Sequence, residues 1–278
     1  MSNPATHLVP SRITVCIPHW QVRDMISICL RSVRKHSEKY DLEVLVVDNG
    51  SRDDSLDYLR SLPWIRLIER PDETVTNWPA NVFTAWDAGI RACTGEFFVT
   101  MHSDVFIRQD DWLDLFLREI TAGPQVAASG AWKLNLESPW YALQKRLVGS
   151  LVAEVKRWTG RRARSSFREG HYPRDYCAMY RTGPILEHGL TFCPNGDLIT
   201  GGYAISRQLW DHGYETRMIP VWELSRKLVH VAHGTAAVSN AKPLHHRAAQ
   251  RKAEQRAAAL MHENWVEQLR HDSRLDAA

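Results

Sequence analysis

A chain of 278 residues with 44% hydrophobic and 24% charged composition has the balance of a folded, enzyme-sized unit. Its net charge of +3 is too small to point to a nucleic-acid partner, and no run approaches the ~18 apolar residues of a membrane span. The first ten residues lack a signal-peptide core, so a cytoplasmic location is expected, and five scattered cysteines without a Cys-x-x-Cys pair read as buried, reduced thiols.

Taken in order, Ile13 to Ile17 is a β-rich run stopped by Pro18, and Gln21 to Lys39 places Val22, Met25, Ile26, Cys29, Leu30 and Val33 on one helical face. Leu42 to Val47 is a second apolar strand, ending in Asp48-Asn49-Gly50-Ser51. Ser51 and Asp53 are capping residues for a helix carrying Leu56, Leu59 and Leu62, which Pro63 ends. Trp64 to Ile68 predicts a third strand, and Asn77 to Ala92 predicts a helix with Val82, Ala85, Trp86, Gly89 and Ile90 inward. That helix feeds the run Phe97 to Val105, a strand covered on both faces that delivers His102, Ser103 and Asp104 to one edge of a sheet, where ligands of open α/β folds gather. Trp112, Leu115, Phe116 and Ile120 mark another helix, and Val126 to Trp132 another strand. This alternation predicts a mostly parallel sheet with helices on both faces. There is no Gly-x-Gly-x-x-Gly after the first strand and no Gly-x-x-x-x-Gly-Lys-Ser/Thr, which argues against a dehydrogenase and an ATPase.

The second half differs. Between Pro139 and Arg168 an apolar stripe of Leu143, Leu147, Leu151, Val155 and Trp158 runs beside Lys145, Arg146, Lys156, Arg157, Arg161, Arg162, Arg164 and Arg168, with Glu154 the one acid between Gln144 and Arg168. Two readings fit: a solvated face over the domain core, or an interfacial helix against an anionic surface that serves a lipid-linked acceptor. Tyr176 to Arg181, Met218-Ile219 and Leu228 to Ala232 predict strands, and Asp197 to Gly213 contains a helix. A charged helix from about His245 to the end carries Leu260, Trp265, Val266 and Leu269. The expected organisation is an α/β half over 1–135, a continuous acceptor-side half over 136–244, and the terminal helix over 245–278.

The combination of Val46-Val47-Asp48-Asn49-Gly50-Ser51, Asp53-Asp54-Ser55, Gly89 to Phe97 and His102-Ser103-Asp104 resembles the family-2 glycosyltransferases of GT-A fold, over roughly residues 12 to 235. The resemblance implies a metal-dependent, inverting transfer of a sugar from a nucleotide-sugar donor to an acceptor hydroxyl. It gives Asp48 the nucleotide base and Asp104 a divalent metal, Mn²⁺ or Mg²⁺, held against the donor diphosphate. His102 stands where the family has the first carboxylate of Asp-x-Asp, so contact with ribose or a metal-bound water suits it better than direct ligation. A second protein ligand is then wanted. His230 and His233 resemble the family's C-terminal histidine element, and His233, before Gly234, is the choice for the metal. Pro18, Asn77, Asp87 and Ser103 complete the expected donor-side set. For the base that takes the acceptor proton the chain offers Asp197, at a turn opening a helix though Gly196 replaces the family's Glu, then Glu223, and Glu187. The sequence does not name the acceptor; a lipid-linked molecule and a glycan are the expected candidates. Rival functions are sugar-phosphate nucleotidyl transfer, disfavoured because Pro18-His19-Trp20 follows the first strand where a glycine-rich phosphate loop is needed, and a degenerate transferase that binds a partner or membrane.

Overall fold

Strand and helix alternate from the start because short continuous apolar runs are separated by segments whose apolar residues recur with period 3.6. The structure, a computed structural model, describes residues 8–73, 80–132, 134, 147–149, 151–152, 154–156, 158–160, 171–194, 200–231, 254–255 and 257–277. The elements are β1 (Val9–His19), α1 (Arg23–Lys35), β2 (Leu42–Asp48), α2 (Ser55–Ser61), β3 (Ile65–Glu69), α3 (Ala80–Ala92), β4 (Gly95–Met101), β5 (Val105–Ile107), α4 (Trp112–Ile120) and β6 (Val126–Ala131). After them come β7 (Cys177–Arg181), α5 (Thr182–Glu187), α6 (Gly201–Asp211), β8 (Glu215–Ile219), α7 (Val221–Lys227), β9 (Leu228–His230) and α8 (Asn264–His271).

Seven strands form one sheet in the order β3-β2-β1-β4-β7-β6-β8, and β5 pairs with β9 in a small second sheet. Within the large sheet β7 alone runs against its neighbours, β4 and β6. Six parallel strands therefore present their carboxyl ends at one edge, and β7 starts there.

Alternation along the central strands fills both faces. Ile13, Val15, Ile17, Val44, Val46, Phe97 and Val99 join one buried cluster with residues of α1, α2, α4 and α8. Cys16, Leu45, Val47 and Phe98 join the other with Val82, Phe83, Trp86 and Ile90 of α3. Gly89 lets α3 lie against the sheet, since a Cβ there would stand 2.4 Å from Cys16 Sγ. The terminal helix is clamped to α1: the Arg31 guanidinium donates to the Leu269 carbonyl (3.1 Å) and to Asp276 (Nε–Oδ1 2.9 Å).

Two expectations change in detail. Pro18 does not end β1, which runs on to His19. Pairing of β1 with β4 stops at Cys16↔Thr100, so on that side Pro18 faces no ladder for its missing N–H to interrupt. The long run from Phe97 divides, because β4 ends at Met101 and a turn at His102 to Asp104 precedes β5.

Candidate active site

The carboxyl edge carries two groups of polar side chains. The first gathers where β1 and β2 end side by side, His19 in register with Asp48. Gly50, at φ +75°, turns the chain so that its own N–H (3.1 Å) and that of Ser51 (3.0 Å) donate to Asp48 Oδ2. Asp48 Oδ1 is buried without a hydrogen-bond partner. Such an atom is costly to leave bare and accepts readily from a ligand N–H. Around it the loops are cross-tied. Ser51 Oγ accepts from the Gln21 N–H at 2.8 Å, and Asp53 Oδ2 from the Val22 N–H at 2.9 Å. His19 Nε2 shares a 2.8 Å hydrogen bond with Ser55 Oγ, which in turn donates to Asp53 Oδ1. Burial pushes the His19 imidazole down to about 4, with Asp48 and Asp53 opposing the shift, so the ring is neutral at pH 7. Asn49 is fixed from the other side, its Oδ1 accepting from Arg70 at 3.0 Å.

The second group is built from segments far apart in sequence. His102 and Asp104 lie in the turn between β4 and β5, and His230 ends β9, in register with Val105. Asp104 Oδ1 stands 3.4 Å from His230 Nε2 and 3.8 Å from His102 Nδ1. One ligand atom from each of the three residues lies within 4.8 Å of the other two. The rings are held by stacking: His102 on Trp86 (centroids 5.6 Å, 21°) and His230 on Tyr176 (4.6 Å, 9°). Backbone bonds fix the frame, with the His102 N–H donating to the Tyr176 carbonyl (2.9 Å) and the Val231 N–H to the Asp104 carbonyl (3.0 Å). Desolvation lowers the His102 pKa below the ordinary imidazole value, and the Asp104 carboxylate opposes the shift.

This donor set fits a divalent cation. His230 Nε2 is buried and makes no hydrogen bond, yet it faces a carboxylate, an arrangement that a bound cation would satisfy. Two imidazoles and one carboxylate suit a borderline ion such as Mn²⁺ better than Mg²⁺, which prefers oxygen alone.

The other expected residues fall as follows. Pro18 is buried next to His19, and Ser103 is buried between the two proposed metal-side residues of its turn. Asp87 accepts from Thr191 Oγ1 (2.6 Å) and the Phe192 N–H (2.8 Å), tying that segment to α3. Phe192 packs on Trp86 (5.7 Å), so Asp87 braces the platform under His102. Glu223 is paired with Arg118 of α4 at 3.1 Å, and Glu187 ends α5. Asn77, Asp197 and His233 lie outside the described residues. Trp86, Tyr176 and His19 were missed as site builders, the first two because an aromatic at a core position carries no sign of what it will stack on.

The sheet order is that of the GT-A fold. The chain matches the model of glycosyl transferase family 2 over residues 14–189 and belongs to that family. It is thus a glycosyltransferase that draws its sugar from a nucleotide sugar. No curated protein matches it in sequence. Among solved structures it is similar to mannosyltransferase PcManGT from Pyrobaculum calidifontis, in complex with GDP-Man and Mn²⁺, at 18% identity, with 93% of this chain and 72% of that chain covered and a TM-score of 0.53. It is also similar to glucosyl-3-phosphoglycerate synthase from Mycobacterium tuberculosis, in complex with phosphoglyceric acid (16% identity, 78% and 76% covered, TM-score 0.47). The same synthase in complex with Mn²⁺, UDP and glucosyl-3-phosphoglycerate gives 15%, 90% and 79%, and 0.47. At 18% identity the likeness to the mannosyltransferase is one of fold.

Proposed function

We propose that this chain transfers a sugar from a nucleoside diphosphate donor to an acceptor hydroxyl with inversion, using a divalent cation held by Asp104, His230 and His102. The observation that carries it is the convergence of those three residues on the sheet edge that also holds Asp48. The mannosyltransferase that shares the fold contains GDP-Man and Mn²⁺, which supports the same pairing here. His230 is proposed as the histidine ligand because it is the described histidine beside Asp104; His233, the choice made from sequence, lies outside the described residues.

In this proposal Asp48 Oδ1 accepts from a base N–H, and the loop around Asn49 and Pro18 lines the nucleoside, with Asn77 reaching the donor. Ser103 faces the ribose, and His102, as a ligand of the cation, stands on the diphosphate side. The cation, when bound, neutralises charge that develops on the leaving diphosphate. A carboxylate takes the acceptor proton as the new C–O bond forms and the bond from the sugar carbon to the diphosphate oxygen breaks, its electron pair leaving with the nucleoside diphosphate. Asp197 is proposed for this base. In support, the first turn of α6 is tied to Asp175 (Gly202 N–H to Oδ2, 3.2 Å), next to the Tyr176 that bonds His102. Glu223, occupied by Arg118, is the second candidate.

The test is incubation with UDP-, GDP- and dTDP-sugars and simple acceptors, with Mn²⁺, Mg²⁺ or chelator. Nucleoside diphosphate release that requires the cation, and an inverted anomer by NMR, are expected. Retention at the sugar carbon, equal turnover in chelator, or release of pyrophosphate would each contradict the proposal.

A further inference from the structure

The connection from β6 to β7 leaves and re-enters the sheet at the polar edge. Ala131 ends β6, and the chain returns so that the Arg174 N–H donates to the Ala131 carbonyl (3.0 Å) and Tyr176 stacks on His230. Within this connection residues 147–149, 151–152, 154–156 and 158 are helical. Leu147, Val148, Leu151, Val152, Val155 and Trp158 are all exposed, from 45% for Leu147 to 95% for Trp158. At about 100° per residue they share one arc of roughly 140°. A stripe of this width normally covers a core, and this one does not. The same segment carries eight basic residues and one acid between Gln144 and Arg168, so it holds a charge of +7 in a chain whose total is +3. The rest of the chain is therefore net negative by four.

We infer that this helix docks on an anionic lipid bilayer, with Leu147, Leu151, Val155 and Trp158 entering the headgroup boundary and the flanking lysines and arginines meeting lipid phosphates. An apolar arc that ends in an aromatic, in a segment rich in lysine and arginine, is the pattern of helices that lie in a membrane interface. Charge complementarity selects an anionic surface over a second copy of this segment, which would bring two clusters of +7 together. Because the connection is anchored beside His102 and His230, docking sets the transfer site at the bilayer surface, where an acceptor hydroxyl on an amphiphile is within reach.

Flotation of the full chain with vesicles tests this independently of activity. Vesicles containing about one third phosphatidylglycerol should recover at least about tenfold more protein than pure phosphatidylcholine, with the excess falling as salt rises. Leu151→Glu with Val155→Glu replaces side chains that are already exposed, so the fold should survive, and binding should fall about tenfold or more. Lys156→Glu with Arg161→Glu should weaken binding to anionic vesicles without changing the melting temperature. Equal recovery on both vesicle types, no recovery on either, or full binding by Leu151→Glu with Val155→Glu would overturn the inference. So would a concentration-dependent dimer abolished by those substitutions in a chain that ignores vesicles, since the face would then belong to a second copy.

Discussion

The two halves of the polar edge are built differently. On the Asp48 side, neighbouring strand ends are laced together by short hydrogen bonds among Ser51, Asp53, Ser55, His19 and the backbone of Gln21 and Val22, so one side chain is presented from a frame the loops themselves make. On the Asp104 side, three ligand atoms arrive from the turn between β4 and β5 and from the end of β9, held mainly by rings stacked on Trp86 and Tyr176. A base needs a fixed acceptor. A cation draws its ligands together through its own charge, so a frame held by stacking suffices there until it binds. Substitutions on the Asp104 side should therefore act on turnover and cation use, and substitutions on the Asp48 side on stability and nucleotide affinity.

The largest expected effect is that of Asp104→Asn. Removing the one carboxylate of the proposed cation site should cost several kcal/mol of leaving-group stabilisation, about 10³-fold or more in turnover, with little change in melting temperature. Turnover at saturating donor and a thermal melt check both halves of that statement.

His19 gives the next. Its folded pKa of about 4 lies below the ordinary 6.5, so between those values the unfolded chain binds a proton that the folded chain refuses. Stability is then full above pH 6.5 and is lost as pH falls towards 4, by about 3 kcal/mol from this group. Urea midpoints measured from pH 7.5 to 4.5 should fall less steeply in His19→Gln than in the unaltered chain. Parallel profiles would show that His19 does not contribute.

On the same side, Asp48→Ala should weaken nucleoside diphosphate binding by about 1.5–3 kcal/mol even without metal, read by calorimetry. The mildest effect is a change of preference. His102→Asp restores a second carboxylate, and the ratio of Mg²⁺-supported to Mn²⁺-supported turnover should rise about tenfold, since Mg²⁺ favours oxygen donors.

Legibility in the sequence follows the same division. Asp48 accepts from the N–H groups of Gly50 and Ser51, two and three residues on, so the turn and its carboxylate could be read directly from the order of residues, whereas the ties from Ser51 and Asp53 to Gln21 and Val22 could not. The order of apolar runs likewise gave most strands and helices, and it put Gly89 on the inward face of α3, where the structure shows the close approach to Cys16. His230 meets Asp104 only because β9 pairs with β5, a contact across more than a hundred residues that local pattern does not contain. The histidine element was visible, but that His230 faces Asp104 depends on the register of a three-residue strand. The stripe from Leu147 to Trp158 shows the opposite limit. Periodicity established an apolar face, and it is the same whether that face meets a core or stands open.

The central claim is that Asp104 and His230 together hold a divalent cation against the donor diphosphate. The most direct measurement is an electron paramagnetic resonance titration of Mn²⁺ into protein saturated with nucleoside diphosphate, for the unaltered chain, Asp104→Asn and His230→Gln. We expect one tightly bound Mn²⁺ in the unaltered chain, weakened about tenfold or more by either substitution while the nucleotide stays bound. Equal Mn²⁺ affinity in all three proteins would contradict the assignment of this edge as the metal site.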